Sequence, residues 1–294
     1  MPGHITGIFR IHDEAENLLF RGSVGAGFSI AAGTLTTVRI SESSSLKMRI
    51  VYNNELIDAP VTSAVILRLL EDHDTTFNIE IAHESQLPIG IGFGASGAGA
   101  LGTALALSSL IGNDTGVQTT GVHAHYAEVV NHTGLGDVIA QCHGGFEMRT
   151  KPGAPGIGEV VKIPYDHSKQ VVLAGSPGLE TKEILTNPEK RERINRVGDD
   201  LLEGLLASPD FDNFIIAARE FSRRTGLMTE RTESALLELQ SSGFKECSMV
   251  MLGDSVFSFC SESESRSVVD ILTHFWTQDQ ILVTSVTSDG GRLV

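Results

Sequence analysis

Residues 88 to 102 read PIGIGFGASGAGALG, with glycine at positions 90, 92, 94, 97, 99 and 102. Glycine this dense removes side chains, so another group can approach bare backbone N–H donors. The Ala- and Leu-rich run over 97–111 lacks proline and predicts a buried helix, closed by Gly112-Asn113-Asp114. A glycine loop that opens a helix aims free amides and the positive end of the helix dipole at one point, which favours an anion there. Inside the helix, at Gly99 and Gly102, close packing is the expected role instead.

Three well-known patterns pass close to this stretch. Gly92-Phe93-Gly94-Ala95-Ser96-Gly97 satisfies GxGxxG. A dinucleotide site also needs a strand directly before the loop and an acidic residue ending the next strand. Here the strand pattern stops near Ala82, and the acidic residue at the right distance, Asp114, lies in a turn after a helix. A serine-hydrolase elbow needs GxSxG, whereas Gly94-Ala95-Ser96-Gly97-Ala98 ends in alanine. The P-loop lysine is missing altogether.

The rest of the chain frames this loop. The segments 5–11, 35–41, 46–52 and 76–82 alternate or carry β-branched residues and predict strands. Pro60 opens a helix with Val61, Val65 and Leu69 on one side, residues 121–132 predict another, and KPGAPGIGE (151–159) predicts a turn between two strands. From Thr181 to about Gln240 charged amphipathic helices dominate, followed by strands around one more helix. Helices and strands are segregated, which predicts an α+β protein with a boundary near residue 166, dividing it into 1–166 and 167–294. The net charge of −15 excludes the basic face that nucleic acid and anionic membranes require. Three scattered cysteines suggest neither a disulfide framework nor a zinc knuckle, and His123 and His125 point to different faces of their helix. No signal-peptide pattern opens the chain and no apolar run is long enough to cross a bilayer, so a cytoplasmic protein is expected.

Pro88-x-x-x-Gly92-Phe93-Gly94-Ala95-Ser96-Gly97-Ala98 resembles the ATP-phosphate loop of the GHMP kinases. Pro2-Gly3-His4 is similar to that family's first motif, with His4 in place of the usual basic residue. Ala127-Glu128, Gly134-Leu135-Gly136-Asp137 and Gly144-Gly145 resemble further family segments. The third motif departs, since 247–254 keeps a single glycine where the family has a glycine-rich loop. PGHITGIF, GSVGAGFS, GLGDVIAQCHGGFEMRTKPGAP and MLGDSVF narrow the likeness, over essentially the whole chain, to a branch acting on pantoate.

The resemblance implies a two-domain α+β fold, with an N-terminal half like domain 2 of ribosomal protein S5 and a C-terminal ferredoxin-like α/β sandwich. It implies ATP and Mg²⁺ as cofactors and a homodimer. Pro88, Gly90, Gly92, Gly94, Ala95, Ser96, Gly97 and Ala98 would wrap the phosphates, and Ser96 and Glu128 would hold the metal. Asp137 would accept the proton of the substrate hydroxyl, although an aspartate at a helix start is also an ordinary N-cap. Pantoate has a carboxylate and two hydroxyls. Arg149 fits the carboxylate by bidentate pairing, with Ser23, His125 and Thr181 as further partners. Two rival readings are another GHMP small-molecule kinase, acting on a different hydroxy acid (homoserine, mevalonate or shikimate type), and a GHMP-fold sensor without catalysis. Ser23, His125, Arg149 and Thr181 discriminate the first, since a neutral alcohol would not need Arg149.

Overall fold

A computed structural model describes residues 1–178, 181–251 and 253–294; the side chains of Thr181, Glu183 and Leu185 also lie outside the description. The first half places β1 (Pro2–His12), β2 (Gly22–Glu42), β3 (Lys47–Tyr52), β4 (Glu55–Leu56), α1 (Pro60–Leu69), β5 (Phe77–Ser85), α2 (Ala95–Leu110), α3 (Val117–Asn131), α4 (Asp137–His143), β6 (Phe146–Lys151) and β7 (Glu159–Lys162) in one unit. Its strands form a seven-stranded sheet in the order β4-β3-β5-β2-β6-β7, with β1 paired to β2. The 21-residue β2 is the axis of this sheet. Its first half pairs with β1 and β6, and its second half pairs with β5.

Only the second half of β2 reads as a strand in the sequence, because its first half is GSVGAGFS. Gly25 and Gly27 lie directly opposite Arg149 and Glu147 of β6. A methyl group on Gly27 would come 2.8 Å from the His4 ring, and one on Gly25 would come 2.9 Å from the Arg149 guanidinium. The glycines that hide the strand therefore make room for polar side chains on one sheet face.

The second half contains β8 (Gln170–Ser176), α5 (Thr181–Thr186), α6 (Pro188–Ala207), α7 (Phe211–Thr225), α8 (Glu230–Ser241), β9 (Cys247–Met249), β10 (Asp254–Cys260), α9 (Ser265–Leu272) and β11 (Ile281–Ser285). Its antiparallel sheet has the order β11-β8-β10-β9. Strand, helices, two strands, helix and strand, arranged fourth-first-third-second, is a ferredoxin-like sandwich. The helices are capped as sequence chemistry dictates: Asn187, Asp210 and Thr229 each accept a backbone N–H at the start of α6, α7 and α8.

Both halves contribute to one core. Phe28 of β2, Phe146 of β6, Phe214 of α7 and Phe257 of β10 are fully buried, with Phe146 and Phe214 edge to face at 4.7 Å. Each such ring contributes about 1.5–3 kcal/mol by leaving water. The tail then returns to the first sheet: Val286 bridges Ile30, and Thr287 exchanges backbone hydrogen bonds with Ser29 and Gly145. The two halves are thus held in a fixed relation across the cleft that the glycine loop enters. Among the described residues no helix is long and apolar enough to cross a membrane.

Candidate active site

The loop before α2 adopts the backbone its glycines permit. Gly90, Gly92 and Gly94 have φ of 80°, 84° and 71°, in the left-handed region that other residues avoid. The first helical hydrogen bond runs from the Ala98 amide to the Gly94 carbonyl, so α2 begins at Ala95, two residues earlier than the sequence predicts. The amides of Ala95, Ser96 and Gly97 are thereby left at an open helix N-terminus. The loop is tied down on both sides. His4 N–H donates to the Phe93 carbonyl, buried Gln141 donates to the carbonyls of Gly94 and Pro2, and the Ser255 hydroxyl donates to the Ile91 carbonyl at 2.9 Å. Gly253, the one glycine kept in the third motif, lets that segment come against Ile91: a methyl there would lie 2.6 Å from its carbonyl oxygen. This glycine-poor segment thus holds the loop at Ile91.

Asp137 is the first residue of α4, and Gly136 is the cap. Its carboxylate makes no cap bond; Oδ1 lies 2.7 Å from Nδ1 of His4, and Oδ2 lies on the Gly134 side. The capping alternative is therefore not what this side chain does. His4 is fully buried, and its Nε2 is 3.2 Å from Oε1 of Glu147, which in turn accepts from Nη1 of Arg149 at 2.5 Å. Burial alone would lower the His4 pKa; the charge of Glu147 and hydrogen bonds to both carboxylates outweigh it and raise it. Burial likewise works against charge on Asp137, but the bond from His4 and the positive charges of His4 and Arg149 hold its carboxyl below the usual carboxylate range. An ionised Asp137, 27 % exposed, faces the cavity with its second oxygen free to accept.

Arg149 is 1 % exposed, and its Nε and Nη2 have no hydrogen-bond partner among the described residues. Buried guanidinium donors call for an acceptor. A methyl group on Gly136 would come 2.7 Å from Arg149 Nε and 2.4 Å from Ser23 Oγ, so both groups converge behind that glycine. On the other side, Ser96 Oγ and Thr133 Oγ1 both donate to Oε1 of Glu128, a carboxylate 2 % exposed. Burial pushes Glu128 up to about 7, opposed by the Ser96 and Thr133 bonds and reinforced by the charge of Asp137. The donor set fits a hard divalent cation. It offers two oxygens side by side, one of them a carboxylate with no cationic partner among the described residues. No group of three His, Cys, Asp or Glu side chains is placed to hold a metal among the described residues.

These groups surround one cavity of about 550 Å³. Pro88, Gly90, Gly92, Gly94, Ala95 and Ser96 line one wall, while Ser23 and Asp137 line another. Glu128 and Arg149 stand directly behind Gly134 and Gly136 of the lining. Three expected residues are not brought there. Ala98 spends its amide on the Gly94 carbonyl and buries its methyl in the core. Gly97 packs on Gln141 and Asp137 behind the wall, and only its amide faces the helix N-terminus. His125 is 1 % exposed with Nε2 2.9 Å from the Arg21 carbonyl, and burial lowers its pKa to about 4. It is a neutral ring holding the segment before Ser23, not a carboxylate-binding cation. The Thr181 side chain lies outside the described residues; its neighbour Lys182 is the one cation among the described lining residues. Sequence reading missed Lys182, Gln141 and Glu147. For Glu147 a signal existed: in FEMR, opposite charges at alternate positions of a strand face the alternate glycines of GAG.

A helix N-terminus fed by a left-handed glycine loop, facing an ionised aspartate across a cleft between two α+β halves, is the arrangement of a small-molecule kinase of the GHMP class. Residues 60–145 match the GHMP kinases N terminal domain. A pantoate kinase from Thermococcus kodakarensis is 34% identical over 93% of this chain and 90% of its own length, and one from Methanocaldococcus jannaschii is 34% identical over 92% and 95%. A solved structure described as a phosphotransferase related to the CoA biosynthesis pathway superposes with a TM-score of 0.87 at 30% identity, covering 99% of this chain and 95% of that one. The chain belongs to the pantoate kinase family of the GHMP kinases.

Proposed function

We propose that the protein transfers the γ-phosphoryl group of ATP to the primary hydroxyl of (R)-pantoate, giving 4-phosphopantoate on the way to coenzyme A. One observation supports this most directly: a single cavity has the glycine loop on one wall, Asp137 on another, and two Arg149 donors without a partner among the described residues behind Gly136 beside Ser23. Pantoate needs those parts. Its carboxylate matches Arg149, its secondary hydroxyl matches Ser23, and its two methyl groups match the apolar side chains of Phe9, Leu135 and Met251 in the same lining.

Phosphoryl transfer asks for positioning and charge stabilisation more than covalent help. The amides of Ala95, Ser96 and Gly97 and the α2 dipole bind the phosphates. Ser96 and Glu128 would hold Mg²⁺, which when bound neutralises phosphate charge. Arg149 and Ser23 orient the acceptor so that its hydroxyl points at Asp137. As the new P–O bond forms and the bond to ADP breaks, Oδ2 of Asp137 takes the hydroxyl proton. Residues 1–166 and 167–294 would form its two domains, and two chains would pair as a homodimer in the cytoplasm; sedimentation velocity tests the dimer.

The product identifies the reaction. Phosphorus NMR of the product should show coupling to two methylene protons, as phosphorylation of the primary hydroxyl requires; coupling to a single methine proton would contradict it. Two substitutions test the parts. Arg149→Lys keeps a positive charge beside Glu147 but loses the planar fork, and should raise the KM for pantoate by about 10- to 100-fold with a smaller change in kcat. Arg149→Ala is the poorer test, since it leaves Glu147 buried and uncompensated at a cost of about 3–5 kcal/mol. Gly94→Ala puts a methyl 2.9 Å from the His4 amide nitrogen at φ 71°, and should weaken ATP binding at least about tenfold in a nucleotide titration.

A further inference from the structure

Each ring nitrogen of His4 faces a carboxylate oxygen, Nδ1 toward Asp137 at 2.7 Å and Nε2 toward Glu147 at 3.2 Å. A neutral imidazole has one N–H and can satisfy one of them, whereas an imidazolium donates to both. Arg149 Nη1 lies 3.4 Å from Nε2 but has a nearer acceptor in Glu147 at 2.5 Å, so it does not require Nε2 to accept. The result is a buried cluster of two cations and two anions. His4 and Glu147 are 0 % exposed and Arg149 is 1 % exposed, while Asp137 alone reaches the cavity. Gly27 lies close to the ring, where an added methyl would come 2.8 Å from Nε2, and Gly94 lies close to the His4 backbone, where one would come 2.9 Å from its amide nitrogen. The ring is held at both nitrogens.

We infer that His4 is the positioning residue of the proton acceptor: anchored by Glu147, its ring fixes the Asp137 carboxylate so that Oδ2 is the oxygen presented to the acceptor hydroxyl. The inference rests on the kinase reading above and adds to it a residue that never touches substrate. Two consequences follow from the geometry. Without the Nδ1 bond, Asp137 is free to rotate away from the line of transfer, and placement errors of this kind are costly in rate. It also loses the nearest positive charge. His4 is faced by Asp137 from α4 and by Glu147 and Arg149 from β6; Asp137 is faced in addition by Glu128 from α3. With His4 neutralised, Asp137 keeps Arg149 as its nearest cation among the described residues, while Lys162 of β7 acts on Glu147 and Lys182 lines the cavity.

Two isosteric substitutions separate the bonds. The amide nitrogen of Asn falls near the Nδ1 position, so His4→Asn keeps the bond to Asp137 and loses Glu147. That of Gln falls near Nε2, so His4→Gln does the reverse. His4→Asn should lose about tenfold in kcat. His4→Gln should lose about 100-fold or more, with the KM for ATP and for pantoate moving less than about threefold and the acidic limb of the kcat–pH profile shifting upward by about one unit. Equal losses in both variants, or a loss confined to KM, would overturn the inference. Nitrogen-15 NMR of the wild-type protein, labelled at histidine, gives an arm that needs neither turnover nor a variant. Both His4 ring nitrogens should carry protons at pH 7, and a singly protonated ring would overturn the inference. Failure of the kinase reading would show separately, as absence of wild-type turnover with pantoate.

Discussion

Asp137→Asn is expected to lower kcat by about 10²- to 10⁴-fold, the usual contribution of a positioned general base. The KM values for ATP and pantoate should stay within about threefold, because the loop amides, Arg149 and Ser23 are untouched. The fold should survive as well. An asparagine carbonyl still accepts the hydrogen bond that Oδ1 takes from His4, at the same 2.7 Å position. Steady-state rates with thermal unfolding of the same preparation check this. Near-normal turnover in a folded variant would remove Asp137 from the chemistry and leave it as a partner of His4 alone.

Glu128→Gln should split activity from stability. The buried carboxylate titrates at about 7 rather than 4.5, so the folded state binds its proton more tightly than the unfolded state does. The stability this proton provides is fully present below pH 4.5 and is lost as pH rises through about 7, a change on the order of 3 kcal/mol. Glutamine keeps the donors of Ser96 and Thr133 satisfied without the charge. The metal-free variant should therefore melt several degrees above metal-free wild type at pH 8 and near it at pH 5, while its kinase activity falls by two orders of magnitude or more. Added Mg²⁺ should raise the melting temperature of wild type far more at pH 8 than at pH 5, because binding requires the ionised carboxylate. A variant no more stable than wild type at pH 8 would contradict the buried-charge reading of Glu128.

What the sequence discloses follows from how local each constraint is. The glycine loop is legible because it is written in backbone conformation, and glycine supplies the left-handed φ at 90, 92 and 94. The helices of the second half are legible because α6, α7 and α8 carry their apolar stripes within themselves, whereas the four-stranded sandwich they build is implied only by the family resemblance. The first half of β2 is not, since its glycines serve side chains that arrive from residues 147 and 149. His125 shows the same limit from the other side. Spacing of three residues places it on the Glu128 face of α3, but whether that face meets substrate or the Arg21 carbonyl depends on a chain segment more than 100 residues away. The His4–Asp137 bond spans 133 residues, and no local pattern points to it.

ADP release from Mg·ATP with pantoate, run beside homoserine, mevalonate, shikimate and galactose, is the most direct test of the kinase. The arrangement of Arg149, Ser23 and Asp137 around one cavity predicts turnover with pantoate and at least about a hundredfold lower kcat/KM with each of the others. Equal or better turnover with a neutral alcohol such as galactose would contradict the carboxylate site, and bound ATP with no turnover on any acceptor would contradict the kinase itself.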